Sequence, residues 1–298
     1  MRILVTGGAG FFGSHIVDAL RGRGDDVVVL DDLSTGDRAN LDPAVPLVVA
    51  DISDRERVRG MLAGELVDAV VHAAAKTKVV ESIAQPALYH QVIVNGTSNA
   101  LDVAQMSGAR SFVNISTGGA LYGETPVCAA EDSPLEAPSP YGRYKAEAER
   151  LAQSTPGLDA VTLRFANIYG PRQRTDLEGG VIAIFAGCWK RGEPLTIYGD
   201  GTAERDYLYV GDAVIAILAA LDHKATGSYN IGTGVATSVN DLVAQMTALL
   251  GPPTGVTRAA DRQGEIQKSC LDSSKAARDG LWRASISLAE GLRGTVAA

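Results

Sequence analysis

The chain has 298 residues, 46% of them hydrophobic, and its 27 Lys and Arg stand against 35 Asp and Glu for a formal net charge of -8. That length can bury a sizeable core and suits one large domain with a smaller companion. The acidic balance argues against nucleic acid and anionic membrane surfaces as partners, since affinity for either comes from neutralising phosphate charge.

Ile3 to Val5 is a short apolar, β-branched run and predicts a buried strand. Directly after it, Gly7-Gly8-Ala9-Gly10-Phe11-Phe12-Gly13 places glycines at relative positions one, four and seven, at the mouth of a helix predicted over 13–22. Glycine there permits a tight turn, brings backbone close to a pyrophosphate and lets helix pack on strand, while the N–H groups of the helix start face the phosphates. Glycine-rich turns also punctuate ordinary βα loops, so the next strand matters. Val27 to Leu30 ends in Asp31, where an acidic residue would receive the adenosine ribose hydroxyls. A carboxylate there repels a 2'-phosphate, so the expected dinucleotide is NAD rather than NADP. After the run Leu47 to Val49, Asp51-Ile52 reads either as an adenine contact or as a turn aspartate.

Ala69 to Val71, Phe112 to Ile115 and Ala160 to Leu163 continue the series, and all these runs read as buried strands, with helices over 55–62, 92–106 and 140–153 between them. Such alternation predicts an α/β chain with a Rossmann-like doubly wound parallel sheet over residues 1–170. Beyond it, Gly170-Pro171, Gly179-Gly180, Gly199-Asp200-Gly201 and Gly251-Pro252-Pro253 mark loops around shorter elements. Residues 171–298 are expected to form a smaller α/β substrate-binding domain. It would be discontinuous, because 207–231 again reads as strand, helix, strand and would return to the first sheet.

Cys128, Cys188 and Cys270 are odd in number and widely spaced, so buried free thiols are expected rather than a disulfide framework or a metal knuckle. No histidine falls at metal-ligand spacing, and no metal is expected. There is no run of about 18 apolar residues to span a bilayer. Met1-Arg2-Ile3 enters the first strand without a signal-peptide pattern, and a cytoplasmic protein is the expectation.

Tyr141 and Lys145 stand four residues apart just after Ser139-Pro140, where proline can start a helix, so both project from one face. A phenol is a poor base at its reference pKa of about 10, but a nearby ammonium stabilises the phenolate and brings that value toward working pH. The pair then makes a general acid–base able to take a hydroxyl proton while hydride leaves the same carbon. The same spacing also occurs by chance on solvated helices.

Gly7-x-x-Gly10-x-x-Gly13 with Tyr141-x-x-x-Lys145 resembles the extended short-chain dehydrogenase/reductases. Ser116-Thr117-Gly118-Gly119-Ala120-Leu121-Tyr122-Gly123, the run Arg164 to Gln173, Tyr198-Gly199-Asp200-Gly201 and the run Arg205 to Val210 narrow the likeness to the UDP-glucose 4-epimerase group of nucleotide-sugar enzymes, over nearly the whole chain. The resemblance implies a retained NAD that takes hydride from sugar C4 and returns it to the other face of a 4-keto sugar. Tyr141 would act at O4, Lys145 would hold the nicotinamide ribose and depress the tyrosine pKa, and Thr117 or Ser116 would supply a hydroxyl. Phe11, Phe12, Asp32, Ser34, Thr35, Gly36, Ala73, Ala74 and Ala75 would join the glycine loop, Asp31, Asp51 and Ile52 around the cofactor. On the substrate side, Arg205 and Arg262 would take the diphosphate, for which guanidinium forks are well shaped. Glu265 would accept from the uridine ribose, Asn167 would reach sugar or phosphate, and Val181, Thr196 and Tyr198 would wall the uracil. A homodimer through the helices 92–106 and 140–153 is also implied.

Four positions depart from that pattern. The usual catalytic Ser or Thr position falls on Gly118, Tyr144 replaces a small residue and could narrow the sugar pocket, Ile93 stands for an asparagine with loss of a contact, and Phe12 stands for isoleucine. Arg172 and Arg174 read either as reaching a sugar 6-carboxylate, which would make UDP-glucuronate the substrate, or as solvated loop charges. A sugar 4,6-dehydratase would need an Asp-Glu pair after Thr117, where Gly118-Gly119 stand. A non-catalytic NAD-binding protein would have no need of Tyr141 with Lys145.

Overall fold

In the computed structural model, which describes residues 1–175, 180–261 and 266–297, the first strands are β1 (Arg2–Thr6), β2 (Asp26–Asp31), β3 (Leu47–Val49), β4 (Ala69–His72), β5 (Ser111–Thr117) and β6 (Asp159–Phe165). Then come β7 (Asn167–Tyr169), β8 (Leu195–Tyr198), β9 (Glu204–Tyr209), β10 (Gly227–Ile231), β11 (Ala236–Ser238), β12 (Val256–Ala259) and β13 (Lys268–Ser269). The helices are α1 (Phe11–Gly22), α2 (Arg55–Met61), α3 (Val79–Ala84), α4 (Pro86–His90), α5 (Gly96–Met106), α6 (Gly119–Tyr122) and α7 (Pro140–Ser154). They continue as α8 (Val181–Arg191), α9 (Val210–Asp222), α10 (Val239–Leu250), α11 (Ser274–Arg278) and α12 (Leu288–Val296).

The large sheet runs β10-β6-β5-β4-β1-β2-β3 with every pair parallel. Successive side chains of a strand face opposite sides, and both sides are covered, which is why these runs are mostly apolar; the buried polar side chains Asn114 and Thr162 meet across β5 and β6, Asn114 Nδ2 donating to Thr162 Oγ1 at 3.2 Å. Ile3, Val5 and Val29 pack with Ile16 and Leu20 of α1 and Ile217 of α9. Leu4, Val28 and Val70 pack on the other side with Val58 of α2, Leu101 of α5 and Ala152 of α7. The strand order reverses at β1, between β2 and β4, and ligands of such sheets bind outside the carboxyl ends of the strands at that point.

Leu47–Val49 is not a buried strand. It is the sheet's outer edge, paired among the described residues only with β2, and Val49 is 42% exposed; an apolar run of three residues does not tell an edge from an interior. Within 207–231 only β10 joins the large sheet. β9 instead forms a small sheet with β7, β11 and β13, beside the pair β8–β12.

The expected set of free thiols is corrected. Cys128 and Cys270 form a disulfide across 142 residues with Cα atoms 4.4 Å apart, and only Cys188 is free. Spacing in sequence carries no trace of this, because the fold brings the two segments together through the isolated bridge Ala129–Leu271. Cys270 N donates to Thr125 Oγ1 at 2.9 Å, and Ala129 N donates to the Cys270 carbonyl at 2.9 Å. Among the described residues no helix is long and apolar enough to cross a membrane, and no cluster of His, Cys, Asp and Glu is arranged to hold a metal.

Candidate active site

One cleft of about 960 Å³ crosses the carboxyl ends of β1, β2, β4, β5 and β6 and continues between β8, β9 and α8. Its first half is shaped by the glycine loop. Gly7 has φ +69°, and a Cβ on it would lie 2.7 Å from the Ala74 nitrogen; one on Gly13 would lie 2.0 Å from the Gly7 carbonyl oxygen. Neither position tolerates a side chain, and their closeness is what lets α1 start against β1. Gly10 caps α1 with no side-chain bond and the first turn holds no acid, so its N–H groups stay open to an anion.

Asp31 ends β2 and accepts from Ala9 N at 2.9 Å and Leu33 N at 2.8 Å. Burial raises its carboxyl, and those bonds oppose the rise. Gly10 N is a third backbone partner, and with about four acceptor sites on a carboxylate there is still room for a ribose hydroxyl. Phe11, Phe12, Asp32, Ser34, Thr35, Asp51, Ile52, Ala73, Ala74 and Ala75 line the same half. Gly36 does not; it packs behind Asp31 and Ala9. Asp51 also accepts from Ser53 N at 2.8 Å, a turn aspartate's bond.

The middle of the cleft belongs to α7. Ser139 caps it by accepting from Gly142 N, Pro140 fills the first helical position, and Tyr141 N donates to Ser82 Oγ at 3.2 Å. Tyr141 and Lys145, 8% and 5% exposed, face the end of β5. Lys145 Nζ donates to the Ile115 carbonyl at 2.9 Å, and the Thr117 hydroxyl hydrogen-bonds the Tyr141 phenol. Burial pushes Tyr141 up to about 12, against the pull of Thr117, and pushes Lys145 down to about 8, against the pull of Glu149. The expected lowering of the tyrosine pKa is therefore corrected. Desolvation of a phenolate outweighs the stabilising bond, and the ammonium is turned to a backbone carbonyl. Ser116 Oγ donates to Glu149 at 2.6 Å.

In the second half, Asn167, Val181, Thr196, Tyr198 and Arg205 line the wall, contributed by β7, α8, β8 and β9. Arg205 Nη1 donates to the Glu204 carbonyl at 2.8 Å. Arg262 and Glu265 lie outside the described residues.

A model of the NAD-dependent epimerase/dehydratase family matches residues 3–232. The chain belongs to that family. It is 37% identical over 306 residues to a UDP-glucose 4-epimerase of Mycolicibacterium smegmatis, covering 99% of this chain and 97% of that one. A UDP-glucose 4-epimerase of Thermotoga maritima, solved with UDP-glucose, superposes with TM-score 0.94 at 38% identity over 100% of this chain and 98% of that one. One from Thermus thermophilus, solved with NAD, gives 0.93 at 40% identity over 100% and 98%.

Against this family's pattern, the departures resolve physically. A Cβ on Gly118 would lie 2.4 Å from Leu271 Cδ2, so the volume where the resemblance places a hydroxyl is filled from the other half of the chain. Tyr144 does not narrow the cleft: it turns to α4 and meets the His90 ring edge-on at 5.2 Å. Ile93 is 1% exposed among Tyr89, Tyr141 and Ala148, where an apolar side chain satisfies the site. Phe12 stacks edge-on against Phe165 at 5.1 Å. Arg172 does not point at a sugar either; it pairs with Asp18 at 2.7 Å and donates to Ser14 Oγ, while Arg174 does not line the cleft. Sequence reasoning missed Lys76 and Thr77, which line the cleft just after β4. Their signal was position, at a strand's carboxyl end beside the point where the strand order reverses.

Proposed function

We propose that the chain interconverts a UDP-hexose of the glucose/galactose type and its C4 epimer through a transient 4-keto sugar. The observation that carries this is the meeting of Tyr141, Lys145 and Thr117 between a dinucleotide-shaped half of one cleft and a half walled by Thr196, Tyr198 and Arg205. The Thermotoga maritima relative, solved with UDP-glucose, supports the substrate class. The glycine loop, the open start of α1 and Asp31 fit NAD, which supplies the acceptor and then the donor of the C4 hydride. At rest Tyr141 is a phenol, the form that returns a proton to O4. Taking that proton first requires the phenolate, and Lys145, one turn along the same face, is the cation that would stabilise it on turning from the Ile115 carbonyl. Thr117 orients the phenol, and Arg205 is the guanidinium for the diphosphate. The reading includes a homodimer through α5 and α7.

Removal of water across C5 and C6 would call for an acid and a base after Thr117, and Gly118-Gly119 supply neither. A second reading, UDP-glucuronate, is favoured by Lys76, a cation in the cleft. Incubation with UDP-glucose, UDP-N-acetylglucosamine and UDP-glucuronate, with products resolved by chromatography, tests both. UDP-galactose is the expected main product, and no 4-epimer from any of the three would sink the assignment. The turnover rate is also expected to fall as pH rises through about 8, where Lys145 loses its proton; a rate constant through that range counts against the ammonium's role.

A further inference from the structure

Beneath the Tyr141–Lys145 pair lies a layer of buried polar groups that the proposed reaction leaves unused. Tyr141, Lys145 and Glu149 follow one another at four-residue intervals on one face of α7. The Glu149 side chain is 3% exposed and accepts from Ser116 Oγ at 2.6 Å. Arg164 of β6 grips it with Nη2 at 2.7 Å and Nε at 3.1 Å. Ser116 is the middle residue of three that matter: the Ile115 carbonyl receives Lys145 Nζ, and the Thr117 hydroxyl bonds Tyr141.

We propose that Glu149 is a positioning residue for the pair, its buried carboxylate acting as counter-charge to the Lys145 ammonium and, through Ser116, as the clamp on the strand end that Lys145 and Tyr141 both touch. The catalytic consequence rests on the epimerase reading; the electrostatic one does not. Stability alone does not call for this ion pair, since a buried pair can be exchanged for packed side chains without loss. What an apolar pair cannot supply is a negative charge one turn from Lys145, opposing the burial that favours the neutral amine.

Other titratable groups around α7 are otherwise engaged. His72 of β4 is a neutral ring between Thr6 and Thr97, driven down to about 3 by burial and by Lys145. Arg164 Nη1 is turned to the Tyr122 hydroxyl at 2.7 Å. Glu81 of α3 accepts from Tyr89, His90 of α4 stacks on Tyr144, and Asp102 of α5 pairs with Arg55. Glu149 is thus the carboxylate that acts on Lys145.

The test is the pH dependence of Lys145 acylation by an amine-directed reagent entering through the cleft, followed by mass spectrometry. In Glu149→Gln the labelling midpoint is expected to fall by about one pH unit or more, with the alkaline limb of turnover moving alongside it. Glu149→Asp, which keeps the charge, should restore most of the midpoint. Arg164 left unpaired can unfold the single variant, so Glu149→Gln combined with Arg164→Met repeats the measurement with the pair removed whole. An unchanged midpoint in either folded variant overturns the proposal. A wild type that labels as expected but converts no UDP-sugar overturns the epimerase reading alone.

Discussion

Tyr141→Phe is expected to lower kcat for C4 conversion by about 10²–10⁴, or roughly 3–5 kcal/mol of transition-state stabilisation, without loss of fold or of bound NAD. The change removes one oxygen from a ring that stays packed among Tyr89, Ile93 and Ala148, so the apolar burial of the ring is kept. The Thr117 hydroxyl loses its phenol partner but borders the cleft, where water can replace it. A stability change of about 1 kcal/mol covers that loss. The proton of O4 then has no acceptor placed for it, because Lys145 is already donating to Ile115 and is pushed toward its neutral form only above about pH 8. Single-turnover conversion of UDP-galactose, beside a thermal melt, checks both halves of the expectation. Unchanged conversion in a folded variant would remove Tyr141 from the chemistry.

The large sheet was readable because strands buried on both sides are apolar at most positions, and five such runs, together with the edge run Leu47 to Val49, stand in order between helical patterns. Gly13 was readable for a similar reason: no other residue fits 2.0 Å from a carbonyl oxygen. Legibility failed where a property depends on what comes alongside from far away in sequence. Whether β3 is an edge depends on the absence of a further strand. Leu271 fills the space over Gly118, and nothing near Gly118 announces it. The direction of the Tyr141 shift depends on burial depth against charge, and i, i+4 spacing reports only charge. Glu149 lay in plain view two turns past Tyr141, yet a glutamate on a helix reads as solvated until Ser116 and Arg164 close around it.

The Cys128–Cys270 bond is the case of this kind with the largest energetic weight. Closing a loop of 142 residues removes conformational freedom from the unfolded chain worth up to about 5 kcal/mol on the loop-entropy account. Cys128→Ser combined with Cys270→Ser, or a dithiol reductant, is therefore expected to lower the melting temperature by roughly 10 °C. The native geometry around the pair does not depend on the bond. Thr125 N donates to the Lys268 carbonyl at 3.0 Å, Asp272 N to the Ala129 carbonyl at 2.8 Å, and Leu271 stays packed over Gly118 with Tyr122 and Ala129. Turnover well below the melt should accordingly be the same in reduced and oxidised protein, because the effect falls on the unfolded state. A melt indifferent to reductant would show that the two thiols are not joined in solution. Reducing compartments keep such pairs open, so alkylating the thiols at the moment of lysis separates a bond that exists where the protein works from one formed afterwards in air.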